Sequence, residues 1–365
     1  MTTRLPLLLW HLGRRGGGPR YTFEMARELL ARPDIELHLA LSRQSEQFAA
    51  TAALGAPLVA IDTYHGAASF AAGLLRLPGI ARRLADHVRR HHIGVALCAM
   101  AHPWNPLLVP SLKRAGAVNT LVVHDALAHQ GESNWIHRRR IAVDIAQADA
   151  VIALSEAVRR QLIDGIGLPA GRVGLSWHPP FRHGERLTRS LGAAPFRLLF
   201  FGRLLPYKGL DQLLEAMAAL GPLAMLRIVG QGPWQPAVAV PGNVSIERGW
   251  VEDSAIAPLF AWAHLLVVPY QEASQSGVIS IARHAALPAV VTPVGGLVEQ
   301  VEDGRSGFVA AGTDAMAIAR AIAAALADTA AYARIAAALM ADDSDAAWRR
   351  AADGVVADLR GFTGR

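Results

Sequence analysis

The residues with the most chemistry lie at 200–208, FFGRLLPYK. The preceding apolar run, 197–201, reads as a buried strand, Gly202 permits a sharp turn, and a helix is expected to start at Asp211. Arg203 and Lys208 therefore fall at the carboxyl end of a strand, where open α/β sheets bind ligands. Arg203 offers a planar fork and Lys208 a compact point charge, a pair that suits a diphosphate better than a single carboxylate. The alternative is a solvated loop with two surface charges. A second loop, 271–278, follows the apolar LLVVP and precedes ISIARHAAL, which puts Ser274, Gln275, Ser276 and Gly277 at a helix N-terminus. The unpaired amides there favour an anion. The expected arrangement has a distal phosphate on the amides of Ser276, Gly277 and Val278, with Arg203 and Lys208 approaching from the facing loop; a capping role for Ser274 or Ser276 stays open.

The first half offers different groups. Gly16, Gly17 and Gly18 follow the first apolar run and allow close approach of the backbone to a sugar or phosphate, without the spacing of a dinucleotide fingerprint. His124 and Asp125 follow LVV, while His102 in MAHPWNP and His129 in ALAHQGE belong to nearby loops. These are acceptor-side candidates, with purely structural histidines as the alternative; Asp125 is adjacent to His124, so the two side chains point apart if the strand continues. No metal is expected, because neither a paired-histidine helix nor a carboxylate cluster is read as a site.

Positioning these groups requires strands and helices in alternation. Strand candidates are 5–12, 36–41, 95–100, 120–123 and 150–154 in the first half, and 197–201, 225–229, 244–248, 265–269 and 289–292 in the second. Helices are expected at 21–30, 156–163 and 346–362. Such alternation implies parallel sheets with helices on both faces. Pro179-Pro180 and the polar run RHGERLTRS mark a linker near 180–196.

GRLLPYKGLDQLLEA, RIVGQGP and PYQEASQSGVISIARHAALPAVVTPVGGLVEQVEDGRSGFV resemble the donor half of retaining nucleotide-sugar glycosyltransferases of the GT-B fold, the family 4-like group that includes bacterial polysaccharide and lipid-linked sugar transferases. LLLWHLGRRGGGPRYTFEMARELL, LVVHDALAHQGE and ADAVIALSEAVRRQL match the other half more loosely. The resemblance implies two Rossmann-like α/β domains facing a central cleft: 1–185 on the acceptor side, 186–345 for the donor, and a helix at 346–365 crossing back. It assigns a sugar-contacting or acceptor-contacting role to His124. Gly230, Trp250 and Val251 would flank the nucleobase, with core packing as the alternative for Trp250. Two family glutamates are missing, their positions being held by Ala273 and Ile281; Glu272 lies one residue away, and Glu299 is the remaining ribose ligand, unless it serves only the helix dipole.

Composition sets the remaining bounds. The chain has 365 residues, 52% of them hydrophobic, enough for two cores. It has one cysteine, Cys98, which leaves no intramolecular disulfide. No apolar run has membrane-spanning length, and Arg4 and Pro6 interrupt the start, so a cytoplasmic enzyme is expected. The net charge of +6 is uneven: residues 1–190 carry 23 basic and 14 acidic side chains, giving +9, and residues 191–365 carry 13 and 16, giving −3. Arg76, Arg82, Arg83, Arg89 and Arg90 flank an apolar stripe of Leu74, Leu75, Leu77, Ile80, Leu84 and Val88, which suits an anionic membrane surface or an ordinary surface helix. No nucleic-acid module is present. The expected activity is metal-independent transfer of a sugar, a hexose above all, from a UDP- or GDP-linked donor to a saccharide or lipid-linked saccharide, with no cofactor. The alternative is a donor-binding, catalytically silent partner of another transferase.

Overall fold

The structure, a computed structural model, describes residues 4–127 and 135–364. His129, a candidate from the sequence, lies outside the described residues. Contacts divide the chain into two units, one of residues 4–127, 135–177 and 345–364, the other of residues 178–344.

The first unit carries β1 (Leu5–His11), β2 (Ile35–Ser42), β3 (Leu58–Ile61), β4 (Val95–Cys98), β5 (Val118–Val123), β6 (Ala150–Ala153) and β7 (Val173–Leu175). They form one sheet in the order β3-β2-β1-β4-β5-β6-β7, every pair parallel. Helices must cross each parallel connection, so both faces of the sheet are covered and β1, β4 and β6 are buried along nearly their whole length. The order reverses between β1 and β4. The C-terminal helix Ser344–Thr363 belongs here: Trp348 is fully buried against Tyr21, ring centroids 5.6 Å apart, and Arg360 donates to Asp34 Oδ2 at 2.9 Å.

The second unit carries β8 (Phe196–Phe201), β9 (Ala224–Gly230), β10 (Val244–Arg248), β11 (Leu265–Val268), β12 (Ala289–Val291) and β13 (Phe308–Val309), again all parallel, in the order β10-β9-β8-β11-β12-β13. Its order reverses between β8 and β11. The run expected as a linker is bonded into this unit: Arg189 donates to the carbonyls of Ala261, Ala263 and Ala285, and Arg186 to Met340 O and Ser344 Oγ.

Pro78-Gly79 is a turn signal expected to break the beginning of the basic segment, and the segment is divided there: one helix ends at Leu74 and the next runs from Leu77 to Arg90, with Pro78 in its first turn, where a missing N–H costs nothing. Its stripe of Leu77, Ile80, Leu84 and Val88 packs into the core of the first unit and is not available to a bilayer. The flanking arginines and Leu74 and Leu75 remain exposed.

Candidate active site

Ligands of doubly wound sheets bind beyond the carboxyl ends of the strands where the order reverses. In the second unit that point lies between β8 and β11, so the turn after Phe201 and the loop after Val268 must build the site. Gly202 leaves β8 at φ 132, and a Cβ built on it would lie 3.5 Å from Val278 Cγ2, which sets this turn beside the start of the helix Gly277–His284. Gly209 adopts φ 68 with its Cα pressed on Pro269: an added Cβ would stand 1.8 Å from the Pro269 carbonyl. Gly230 meets the Gly202 carbonyl equally closely, at 1.7 Å. Backbone-to-backbone contact therefore fixes the two loops against each other.

Lys208 is only 8% exposed. Its ammonium sits 3.5 Å from the ring centroid of Tyr270 and 4.5 Å from that of Tyr207, an electrostatic seat on two aromatic faces. Arg203 is exposed and donates from Nη2 to the Tyr207 hydroxyl at 3.0 Å. The Tyr270 hydroxyl lies 3.2 Å from Ser276 Oγ, and burial, above all, raises the Tyr270 pKa, so it stays a neutral phenol. Arg203, Tyr207, Lys208, Tyr270 and Ser276 are thus one connected set. Neither tyrosine was singled out by sequence reading, although each directly neighbours a residue of the two loops.

The helix start differs in one respect from expectation. The Ser276 amide is not open to an anion: it donates to Gln300 Oε1 at 2.7 Å, and Gln300 Nε2 returns a bond to the Ser276 carbonyl at 3.1 Å. Ser276 is the N-cap residue by position, yet its side chain turns to Tyr270 instead of capping. Gly277 and Val278 are the first-turn amides, which an α-helix leaves without an intrahelical acceptor. Ser274 is buried, and Gln275 Oε1 is a buried acceptor with no hydrogen-bond partner among the described residues. Beside Gly277 lie His178 and Phe181, stacked edge to face at 4.4 Å, with His178 Nδ1 3.0 Å from Ser280 Oγ.

At the two glutamate positions of the family, Ala273 and Ile281 are buried. The Ala273 carbonyl accepts from the Gly296 amide at 3.3 Å and would touch any side chain at Gly295, so the backbone here cannot shift register to bring Glu272 into place. Glu299 is exposed on a helix of only four residues, Leu297–Gln300, whose dipole offers it little. Trp250 is 37% exposed, which removes the core-packing alternative, and Val251 follows it after a turn in which the Gly249 amide donates to the Gly230 carbonyl at 2.9 Å.

In the first unit the reversal lies between β1 and β4. His11 ends β1 and is buried; burial pushes its pKa down to about 4, its Nδ1 lies 3.4 Å from Met100 O, and its Nε2 has no hydrogen-bond partner among the described residues. Gly18 lies against this imidazole, at 2.7 Å from Nε2 for a built Cβ, while Gly17 is exposed at the start of the helix Gly17–Leu30. His102 is buried and pushed down to about 3, by burial first and then by His11, Arg140 and Arg14. Its Nδ1 accepts from the Trp104 amide at 3.2 Å and its Nε2 lies 3.3 Å from the Tyr64 hydroxyl. Arg14 stacks over Tyr64 at 4.6 Å. His124 donates from Nε2 to the Ala99 carbonyl at 3.0 Å; burial lowers its pKa, against the pull of neighbouring Asp125. His11, Arg14 and Tyr64 were missed in the sequence, His11 because it lies inside the apolar run 5–12.

The expectation of no metal-type cluster fails on geometry: His87 and His91 are a paired-histidine spacing on the helix Leu77–Arg90 and its C-cap, overlooked in the sequence, and with His38 their ligand atoms lie within 4.8 Å of one another.

Comparison with known proteins accounts for both halves. The model described as "Glycosyltransferase Family 4" matches residues 15–175, and that described as "Glycosyl transferases group 1" matches residues 195–328. A D-inositol 3-phosphate glycosyltransferase of Catenulispora acidiphila is 30% identical over 80% of this chain and 75% of its own length. A GDP-mannose-dependent alpha-(1-6)-phosphatidylinositol monomannoside mannosyltransferase of Mycolicibacterium smegmatis is 28% identical over 86% of this chain and 87% of its own. The D-inositol 3-phosphate glycosyltransferase of Nocardia farcinica is 27% identical over 69% of this chain, which spans 61% of that relative. Anabaena HepE in complex with UDP-glucose shares the fold, with TM-score 0.69, 16% identity and 98% of each chain covered. Two parallel-sheet Rossmann-like units, matched along both halves by these models and relatives, make the chain a member of the family 4 glycosyltransferases, enzymes of the GT-B fold.

Proposed function

We propose that this chain moves a hexose from a UDP- or GDP-linked sugar to a hydroxyl of a saccharide or lipid-linked saccharide, with retention of anomeric configuration and without a metal. One observation carries the reading: a buried lysine, Lys208, is seated on Tyr207 and Tyr270 at the sheet reversal, tied through Tyr207 to Arg203 and through Tyr270 to the start of the helix Gly277–His284. Charge builds on the diphosphate as the glycosidic bond breaks, and fixed cations and amides stabilise that charge most in the transition state. Arg203, Lys208 and the Gly277 and Val278 amides supply them, with the acceptor attacking the sugar on the face the diphosphate leaves and the departing phosphate taking its proton. No protein nucleophile is required.

Trp250 and Val251 flank the base, with Gly230 forming the adjoining turn. Ser274 and Gln275 serve the sugar-phosphate side, and Glu299 holds the ribose in place of the two absent glutamates. On the acceptor side, His11 Nε2 is the imidazole nitrogen left for a sugar hydroxyl, and neutral His102 and His124, bonded to the Trp104 amide and the Ala99 carbonyl, position the groups around it. The names of the sequence relatives, which act on inositol phosphate or on a phosphatidylinositol mannoside, support a polyol or glycolipid acceptor. Exposed arginines 76, 82, 83, 89 and 90 support work at an anionic membrane face inside the cell, now by charge alone.

A panel of UDP- and GDP-sugars tests the reading by thermal stabilisation and turnover, with the anomeric configuration of the product read by NMR. Stabilisation with a retained product is expected. Inversion would remove the proposed chemistry, and tight donor binding with no turnover on inositol, saccharide or lipid-linked acceptors would favour the silent partner suggested by Ala273 and Ile281.

A further inference from the structure

His38 lies in the middle of β2, opposite Leu8 of β1, three positions before the register at which His11 meets Leu41. It is therefore set back along the sheet from the acceptor-side histidines. Its side chain is 1% exposed and shares the sheet face of Ala40 with the apolar stripe of the helix Leu77–Arg90. His87 and His91, one helical turn apart, meet it from that helix. The three ring centroids lie 5.0 Å (His38 to His87), 4.6 Å (His38 to His91) and 4.5 Å (His87 to His91) apart. His38 Nδ1 and His87 Nε2 are 3.0 Å from each other, and His38 Nε2 lies 3.3 Å from Glu36 Oε1.

We propose that His38 Nδ1, His87 and His91 form a three-histidine site for a divalent cation of the zinc type, with Glu36 as the outer carboxylate that orients His38. Tetrahedral zinc with Zn–N bonds of about 2.0–2.1 Å holds neighbouring donor atoms roughly 3.4 Å apart. The pair already at 3.0 Å needs only a small separation, and the half-buried His91, at the helix C-cap, closes the rest of the 4.8 Å span by side-chain rotation. A metal-bound histidine almost always donates its other ring N–H to a carboxylate, a backbone carbonyl or water, and the bond from His38 Nε2–H to Glu36 is the carboxylate arrangement. The hydrogen bonds set the lone pairs: with His38 Nε2–H directed at Glu36, His38 Nδ1 is the acceptor facing His87 Nε2–H. Binding then needs only that His87 move its proton from Nε2 to Nδ1, with no net proton released. Three imidazole nitrogens are a borderline donor set suited to zinc and its late first-row neighbours, not to magnesium or calcium. The ion would join β2 to the end of the helix Leu77–Arg90, with a fourth position left for water.

The test uses the full chain without a histidine tag, stripped with chelator and titrated with zinc chloride by calorimetry, with cobalt(II) as the spectroscopic probe. One equivalent bound at micromolar or lower Kd, visible cobalt bands of a four-coordinate nitrogen site, and a rise in melting temperature are expected. His87→Gln with His91→Gln, two half-buried positions that spare the core, should weaken zinc at least 100-fold and abolish the cobalt bands while the circular dichroism stays unchanged. Glu36→Gln should weaken zinc about tenfold. Failure of the wild-type chain to hold zinc at micromolar concentration, or equal affinity in the double variant, would overturn the proposal.

Discussion

The two sheets reverse their strand order in the same way, yet the residues at the two reversals are opposites. Beyond β1, β4 and the adjoining β5 stand buried imidazoles that burial keeps neutral, His11 at about 4 and His102 at about 3, with His124 lowered as well. Beyond β8 and β11 stand two permanent cations and a helix start. One scaffold therefore presents hydrogen-bonding groups without charge in the first unit and concentrated positive charge in the second. The topology chooses where a ligand sits, and side-chain type with its seat chooses the charge: burial keeps the imidazoles neutral, while Lys208, as buried as His124, rests on two aromatic faces that favour a cation. The glycines differ in the same sense. In the second unit Gly209 and Gly230 meet backbone carbonyls, whereas in the first Gly18 meets the side-chain ends of His11 and Met100.

The largest effect should come from breaking that backbone contact. Gly209→Ala and Gly230→Ala are expected to cost about 4 kcal/mol or more in urea unfolding, since neither facing carbonyl can retreat. Gly18→Ala should cost about 1–3 kcal/mol, because a methionine and an imidazole can move. Equal costs would mean that the two reversals are equally rigid.

Next in size are the cations. Arg203→Ala and Lys208→Ala should each lower turnover by a factor of about 100 to 1,000, the scale for losing a preorganised charged donor. They should separate in stability: exposed Arg203 within about 0.5 kcal/mol of wild type, and Lys208 worse by about 1–2 kcal/mol through the lost seat on its tyrosines. His102→Ala, which removes a neutral partner, should cost turnover about tenfold or less. A reversed ranking of His102 and Lys208 breaks the comparison.

Smaller still is Glu299→Gln, which should weaken donor affinity by about 1–3 kcal/mol with folding stability unchanged within about 0.5 kcal/mol. Lost stability with unaltered donor binding would return Glu299 to the helix dipole.

Acid supplies the gentlest probe. A histidine whose folded pKa lies below its unfolded value of 6.5 contributes stability that is complete above pH 6.5 and is lost as pH falls toward the folded value, because the unfolded chain binds the proton first. His11, His38, His87, His102 and His124 of the first unit titrate low, as does His264 of the second. Between pH 6.5 and 4, hydrogen exchange should accelerate in β1, β4 and β5 before β8, β9 and β11. Uniform acceleration would show that these imidazoles do not set the acid stability of the first unit.

Most of the scaffold was legible because long apolar runs flanked by glycine and proline announce parallel strands. β3, β7 and β13 escaped because they are short strands at sheet edges, where partly exposed residues interrupt the apolar run that marks equally short interior strands such as β4 and β6. At the site, Arg203 and Lys208 were legible from charge at a strand end, but the tyrosines that bury Lys208 were not, since an aromatic beside a strand reads equally as core. Ser276 was misjudged because its partner, Gln300, is 24 residues away and no local pattern links them. The stripe on Leu77–Arg90 looked the same for membrane and core, and only packing decided between them.

The central claim is that the second unit's cations grip a diphosphate. Titration calorimetry of UDP and GDP, each beside its nucleoside, against wild type, Arg203→Ala and Lys208→Ala tests it most directly. Each substitution should weaken the diphosphates about 10- to 150-fold, the range for about 1.5–3 kcal/mol of charged hydrogen bonding, and leave the nucleosides unchanged. Unchanged diphosphate affinity in both variants would contradict the account.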